Sequence, residues 1–304
     1  MSHTLPLHGV RVTSLALNVP GPIGVARLAA LGASVVKIEP PTGDPLAMVA
    51  PAWYEELCAG QLVRRLNLKD PTDHAAFEEE LASADILVTS LRPSAARRLG
   101  LTGIAHSFPK LSVVEIVGSS GERAEAPGHD LTYQAEHGLL TPPALPQALI
   151  ADLLAAERTV SAALLAILTQ KRTGRGDHQR VVIEAAAADA GAPGRFGLTT
   201  PDGVLGGGDP AYGIYETADG HVALAALEPH FRRRLAAMVG GSSREALTTA
   251  FRSKPTEAWL RRAESADVPL ARVHPTAGAA AQRVPHPQTP LPDPALSQRF
   301  EEES

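Results

Sequence analysis

A chain of 304 residues, 44% hydrophobic and 20% charged, holds enough apolar material for one large domain or two modest ones. Its formal net charge of -5 argues against the basic face that nucleic-acid binding requires, and its single cysteine, Cys58, excludes a disulfide framework within the chain. The start lacks a basic stretch followed by an apolar run, and the apolar run at residues 161–168 is far shorter than the ~20 residues that span a bilayer, so the expectation is a soluble, cytoplasmic protein.

Residues 10–17 read as a buried strand, broken by Pro20-Gly21-Pro22, which opens a helix running to Leu31 with Gly32 as its stop. A second strand is expected at 34–38, ended by Glu39-Pro40-Pro41, and a third at 63–68. Asp70-Pro71 starts a helix to about Ala82, with proline in its favoured first turn. Further strands follow at 86–89 and 112–117. Strands separated by helices of this length predict a parallel sheet with helices on both faces, a Rossmann-like α/β domain that binds ligands beyond the carboxyl ends of its strands.

A long Ala/Leu-rich helix is expected from Ala148 to about Gln170, closed by Thr173-Gly174-Arg175-Gly176. A strand at 179–184 and an Ala-rich helix complete a large domain over 1–190. The Gly- and Pro-rich stretch 191–210 reads as a linker. A smaller α+β domain then covers 211–283, with a hairpin at 212–217 and 221–226 and helices at 229–239, 244–253 and 256–266. In this domain the run Arg232-Arg233-Arg234 reads as a solvated helix face. Residues 284–304, proline-rich to Pro294, are expected to form a return linker and C-terminal segment.

Several of these segments, in this order, resemble the class III CoA-transferase (CaiB/BaiF) superfamily, and within it the alpha-methylacyl-CoA racemases. The resemblance is carried by Leu7-His8-Gly9-Val10-Arg11-Val12, Pro20-Gly21-Pro22, and the stretch from Leu31-Gly32-Ala33 through Lys37-Ile38-Glu39-Pro40-Pro41. It continues through Leu66-Asn67-Leu68-Lys69-Asp70, Ala84-Asp85-Ile86-Leu87-Val88 with Arg92-Pro93, and Arg98-Leu99-Gly100-Leu101. Arg172-Thr173-Gly174-Arg175-Gly176 matches a frequent signature, and Tyr215-Glu216-Thr217-Ala218-Asp219-Gly220-His221 with Leu227-Glu228-Pro229-His230-Phe231 is similar to the racemases' small domain. The resemblance implies an interlocked homodimer, an acyl-CoA substrate, no required cofactor, and an active site between the large domain of one subunit and the small domain of the other.

It also implies roles. In the racemases a His in a Gly-His-Asp triplet and an Asp before the long helix flank the substrate's α-carbon, and the matching positions here are His129, within Gly128-His129-Asp130, and Asp152. Inverting a carbon α to a thioester needs one group to remove its weakly acidic proton and another to return one from the opposite face. Imidazole and carboxylate suit this because burial and neighbours move their pKa values toward neutrality. The dipole at the start of the long helix is expected to favour an anionic Asp152. Glu228 matches a carboxylate that reaches the catalytic His across the dimer. Lys37 and Arg92 stand where CoA phosphates are bound, and Gly128, Asp130 and Tyr133 are assigned to substrate contact. Without the resemblance, His129 reads as a loop residue bonded to Asp130, Asp152 as a helix cap, and Glu228 as an ordinary residue before Pro229.

In the family's CoA-transferases the residue matching Asp152 is instead a covalent nucleophile. His129 favours proton transfer, because transferases carry an aromatic residue there; so does the absence of glycine from 153–158, where transferases often have a Gly-rich loop. The expected function is therefore a racemase or epimerase. The alternatives are acyl transfer through Asp152 and a divergent member acting on a small molecule other than a CoA thioester. Three departures bear on the substrate: Cys58-Ala59-Gly60-Gln61-Leu62 replaces the usual Asn-Arg stretch, the segment 117–122 lacks the usual aromatic residue and proline, and the chain is shortened between His129 and Asp152 and at its C-terminal helix, 296–304. The eleven histidines show no ligand spacing with cysteine or carboxylates in sequence, so no metal is expected.

Overall fold

The computed structural model of the chain describes residues 5–274. The expected return linker and C-terminal segment at 284–304, and the end of the expected small domain at 275–283, lie outside the described residues. Contacts divide the described chain into two compact units that meet at Gly197 and Leu198.

The first unit runs β1 (Arg11–Ser14), α1 (Pro20–Ala30), β2 (Ser34–Glu39), α2 (Pro45–Val49), α3 (Pro51–Leu57), β3 (Leu62–Arg65), α4 (Pro71–Ser83), β4 (Ile86–Thr89), α5 (Pro93–Arg98), α6 (Ile104–Ser107), β5 (Ser112–Val117), α7 (Asp130–Glu136), α8 (Ile150–Thr173), β6 (His178–Val182), α9 (Ile183–Ala190) and α10 (Ala192–Arg195). The six strands form one parallel sheet in the order β3-β2-β1-β4-β5-β6. The chain reverses direction across the sheet between β1 and β4, which makes the carboxyl ends of those strands the expected ligand crevice.

Both faces of the sheet are covered, which is why successive residues of its central strands β1, β4 and β5 are buried rather than alternating between buried and exposed. Val12, Ile86, Val88, Val114 and Ile116 pack against Val25 and Leu28 of α1, Ala155, Ala163 and Ile167 of α8, and Ala186 of α9. Leu15, Ile38 and Leu87 face the other way, onto Phe77 and Leu81 of α4 and Ala96 of α5. The proline-led helices have a common logic, since the ring pre-sets the first helical φ and removes an N–H that has no intrahelical acceptor. Asp70 adds a side-chain cap to the amides of Thr72 and Asp73 at the start of α4. At the other end of α8, Gly174 adopts the left-handed conformation (φ 73°) that stops the helix.

The second unit contains β7 (Tyr212–Glu216), β8 (His221–Ala225), α11 (Pro229–Val239), α12 (Arg244–Arg252), α13 (Thr256–Ala266) and β9 (Leu270–Arg272). Its antiparallel sheet, ordered β7-β8-β9, buries Tyr215, Val222 and Leu224 against Leu235, Leu247, Phe251 and Trp259 from the three helices. The stretch expected to be a plain linker contains α10 and one wide helical turn at Val204–Gly208. No helix among the described residues is long and apolar enough to cross a membrane.

Candidate active site

A pocket of about 210 Å³ opens at the reversal point of the sheet. Leu17, Asn18 and Pro20 after β1, Ser90, Leu91 and Arg92 after β4, and Val117 and Gly118 at the end of β5 line it. Gly128, His129 and Tyr133 from the start of α7, and Asp152 from the first turn of α8, close the remaining side. Of the residues expected to act, the fold therefore brings His129, Asp152, Arg92, Gly128 and Tyr133 to one cavity.

His129 is exposed, but it is a helix N-cap, not an unstructured loop residue. Its backbone N–H donates to Thr132 Oγ1 (3.1 Å), and the Thr132 hydroxyl donates back to the His129 carbonyl (2.8 Å). This reciprocal lock fixes the backbone that carries the imidazole.

Asp130 is not among the residues lining the pocket, and its carboxylate is turned to α8. It is 4% exposed, and its Oδ1 accepts the N–H groups of Ala151 (2.9 Å) and Asp152 (3.1 Å) at the start of α8. Gln134 Nε2 donates to its other oxygen and to the Ala148 carbonyl. The carboxylate that caps α8 is thus Asp130, and Asp152 is left free of that duty. The Asp152 carboxyl has no hydrogen-bond partner among the described residues.

Burial, and secondarily the charge of Asp130, raise the Asp152 pKa from 3.8 to about 7. This reverses the expectation drawn from the helix dipole. A dipole contributes roughly 0.3–1 kcal/mol to an anion in the first turn. The rise to about 7 corresponds to about 4 kcal/mol in the opposite direction. Burial wins.

Tyr133 is 3% exposed, with buried Ser119 beside its hydroxyl. A Cβ placed on either Gly118 or Gly128 would lie closer than 3.0 Å to this ring or hydroxyl. The glycine of the Gly-His-Asp triplet is therefore a packing requirement of Tyr133. Gly128→Ala is expected to displace Tyr133 or the start of α7, cutting turnover at least tenfold and lowering the melting temperature, as steady-state kinetics and calorimetry would show.

Lys37 requires a larger correction. It is 1% exposed within β2, and its Nζ contacts Asp44 Oδ2 (2.7 Å), Glu39 Oε1 (3.1 Å) and the Ala16 carbonyl (3.4 Å). Tyr54 donates to the same Glu39 oxygen (2.8 Å), and burial pushes the tyrosine pKa well above its usual range. Lys37 is thus a buried cation already held by two carboxylates, and it is not among the residues lining the pocket. Its partner Asp44 also accepts the N–H groups of Asn18 (3.1 Å) and Leu46 (3.0 Å). Asn18 is a pocket residue in the left-handed region (φ 67°), so the buried pair supports a bend in the pocket wall. Asn18 and Ser90, whose Oγ accepts the Leu17 N–H (3.0 Å), were not foreseen from sequence. The turn chemistry of Asn18-Val19-Pro20 was the available signal.

Arg92 stands at the pocket rim, exposed, before Pro93 opens α5. Beside it an apolar slot of about 180 Å³ shares Leu17 and Leu91 with the main pocket and reaches Pro40, Leu66, Leu68 and Lys69. The altered stretch 58–62 leads into β3 and contributes Gly60 and Leu62 to a separate cleft with Arg11, Ser34 and Ser83, at the amino ends of the strands. Gly60 and Leu62 therefore lie at the opposite end of the strands from the pocket, whereas Cys58 sits beside Tyr54 and the Lys37 cluster. Glu228 is exposed in the second unit, where its carbonyl accepts the Arg232 N–H (3.0 Å) as the residue before α11.

The fold also brings together a group that the spacing in sequence did not reveal. Ligand atoms of Glu136, His137 and Glu184 lie within 4.8 Å of one another. The Arg123 guanidinium already bridges the two carboxylates, at 2.8 Å from Glu136 and 2.9 Å from Glu184.

Residues 7–289 match CoA-transferase family III. An alpha-methylacyl-CoA racemase from Mus musculus is 30% identical over 263 residues, covering 79% of this chain and 66% of the racemase. An acetyl-CoA:oxalate CoA-transferase from Acetobacter aceti is 30% identical over 192 residues, covering 57% of this chain and 49% of that enzyme. The chain thus spans between about half and two thirds of the length of these two relatives. Among solved structures, a CaiB/BaiF family protein from Brucella suis superimposes with a TM-score of 0.76 at 21% identity, covering 90% of this chain and 85% of that one. The match across both units and the shared fold place the chain in CoA-transferase family III.

Proposed function

We propose that this protein inverts the carbon α to an acyl thioester carbonyl by two-base proton transfer between His129 and Asp152. The observation that carries the reading is that these two groups line one pocket, with the Asp152 pKa near 7. In one direction neutral His129 takes the α-proton and protonated Asp152 delivers one to the opposite face of the enolate. The enzyme then holds imidazolium and carboxylate, which is the state that runs the reverse inversion. A carboxyl poised near neutrality populates both forms and serves both directions. The enolate oxygen finds donors in the N–H groups of Asp130 and Leu131 at the start of α7, since that of Thr132 is taken by the His129 carbonyl.

In this reading the substrate is an acyl-CoA thioester. Arg92 meets its phosphates, and the apolar slot beside Leu17 and Leu91 takes the adenine ring. The chain acts as a homodimer in which Glu228 of the partner subunit orients His129. Leu164, Leu165 and Leu168 support a second chain, since they leave a stripe of α8 36–63% exposed, more apolar surface than a lone helix face normally offers to water.

Transfer of CoA through an Asp152 acyl-enzyme is the competing reading, and transferases stand among the relatives. With a pKa near 7 only about half of the Asp152 carboxyl is ionised at neutral pH, which supplies the acid that inversion needs and halves the nucleophile that transfer needs. The test is α-deuterium incorporation from heavy water into a panel of 2-methylacyl-CoAs, read by mass spectrometry. Exchange with inversion supports the proposal. No exchange with any member, together with hydroxylamine release of an acyl group from Asp152, refutes it in favour of transfer.

A further inference from the structure

We propose that Asp130 is the positioning residue of the site, its buried carboxylate clamping the start of α8 to the start of α7 so that Asp152 and His129 face one pocket. This rests on the two-base reading above. The geometry is specific. Asp130 is the first residue of α7, directly after His129, yet its Oδ1 accepts the amides of Ala151 and Asp152, more than twenty residues later in the chain. Leu149, the residue before α8, offers no side-chain cap of its own. One side chain therefore joins the backbone of one base to the backbone of the other, and Gln134, one helical turn along, holds that side chain from behind.

The clamp has an electrostatic consequence. A carboxylate fixed beside Asp152 opposes its ionisation, in addition to the larger effect of burial. The other groups around Asp152 do little to offset it. His129 and Tyr133 come from α7 and Arg92 from the end of β4. From the elements packed on α8, Arg27 of α1 is paired with Glu157, Asp189 of α9 with Arg158, and Glu184 of α9 with Arg123. Asp130 is thus the fixed anion that adds to burial in setting the pH at which that carboxyl loses its proton.

The test is Asp130→Asn, which keeps an oxygen for the two amides and removes the charge, with Gln134→Ala as a companion that weakens the support but keeps the charge. The first measurement is independent of any substrate: the pH dependence of carbodiimide labelling of Asp152, mapped by peptide mass spectrometry, since only the protonated carboxyl reacts. In the wild-type protein the labelling midpoint is expected near 7. In Asp130→Asn it is expected to fall by about one pH unit or more, and in Gln134→Ala to stay within a few tenths. A folded Asp130→Asn variant whose midpoint is unchanged overturns the proposal. The second measurement is the pH profile of α-deuterium exchange, whose Asp152 limb should move with the labelling midpoint. A midpoint that moves in a protein that exchanges no thioester upholds the clamp and overturns the two-base reading instead.

Discussion

Replacing His129 with Ala is expected to lower α-proton exchange by a factor of about 10²–10⁴, the usual contribution of a positioned acid or base, with little change in stability. The stability expectation follows from the local structure: α7 is fixed by the backbone and Thr132 rather than by the imidazole. Asp152→Asn should remove exchange to a similar extent but shift stability the other way. The Asp152 pKa is raised in the folded protein, so its charged form opposes folding. The penalty is absent below pH 4, grows as pH rises toward 7, and is complete above it, where it reaches about 4 kcal/mol at most. Asn carries no such penalty, so the variant should melt higher than the wild type at pH 8 and no higher at pH 4. Calorimetry at the two pH values, beside the exchange assay, separates a catalytic carboxyl held at a cost in stability from one that merely helps the fold. Loss of stability at pH 8 would refute the assignment.

The parts of this fold that were legible from sequence are those where one physical signal dominates. β4 and β5 were read residue for residue because each is a short segment rich in β-branched and apolar residues, Ile-Leu-Val-Thr and Ser-Val-Val-Glu-Ile-Val, bounded by turn signals. α11 and α13 were read to the residue because a proline or a Pro-Thr pair opens each and an amphipathic pattern fills at least two turns. The helices α2, α3, α5, α6 and α7 escaped because four to seven residues hold too little periodicity to separate a helix from a turn. α7 is the costly omission, since it makes His129 an N-cap and turns Asp130 inward. Nothing in the local sequence ties Asp130 to residues 151 and 152. That contact exists only once the sheet has set α7 beside α8. His129 and Asp152 were paired through family resemblance rather than periodicity, and Asn18 was passed over because its role is a backbone conformation. Lys37 was misread for a reason that the sequence did contain. A lysine inside Ser-Val-Val-Lys-Ile-Glu, on a strand flanked by strands on both sides, has no solvent to reach and must be paired.

The misreading of Lys37 leads to the largest stability effect expected in this protein. Lys37→Met keeps the length and apolar stem of the side chain and removes only the charge. It leaves Glu39 and Asp44 as two buried carboxylates without their cation, within a pocket closed by Tyr54. Removing one partner from a buried ion pair typically costs about 3–5 kcal/mol, because the remaining charge is desolvated and uncompensated. For a unit of this size that corresponds to roughly 10 °C in melting temperature. Protonating one of the carboxylates relieves the repulsion, so the deficit should narrow on acidification, which a series of melts from pH 8 to pH 5 would register. The loss should also reach the site, because Asp44 holds the Asn18 amide at the pocket wall. Arg92→Ala is the opposite case: an exposed arginine without an ion-pair partner among the described residues, whose removal should leave the melt within about 0.5 kcal/mol of wild type. If Arg92 meets the phosphates of the thioester, its loss raises KM with kcat nearly unchanged. A buried cation that sets the fold and an exposed one that meets the ligand thus separate on two axes, melting temperature and KM. A Lys37→Met protein that melts like the wild type and binds CoA more weakly would return Lys37 to the ligand.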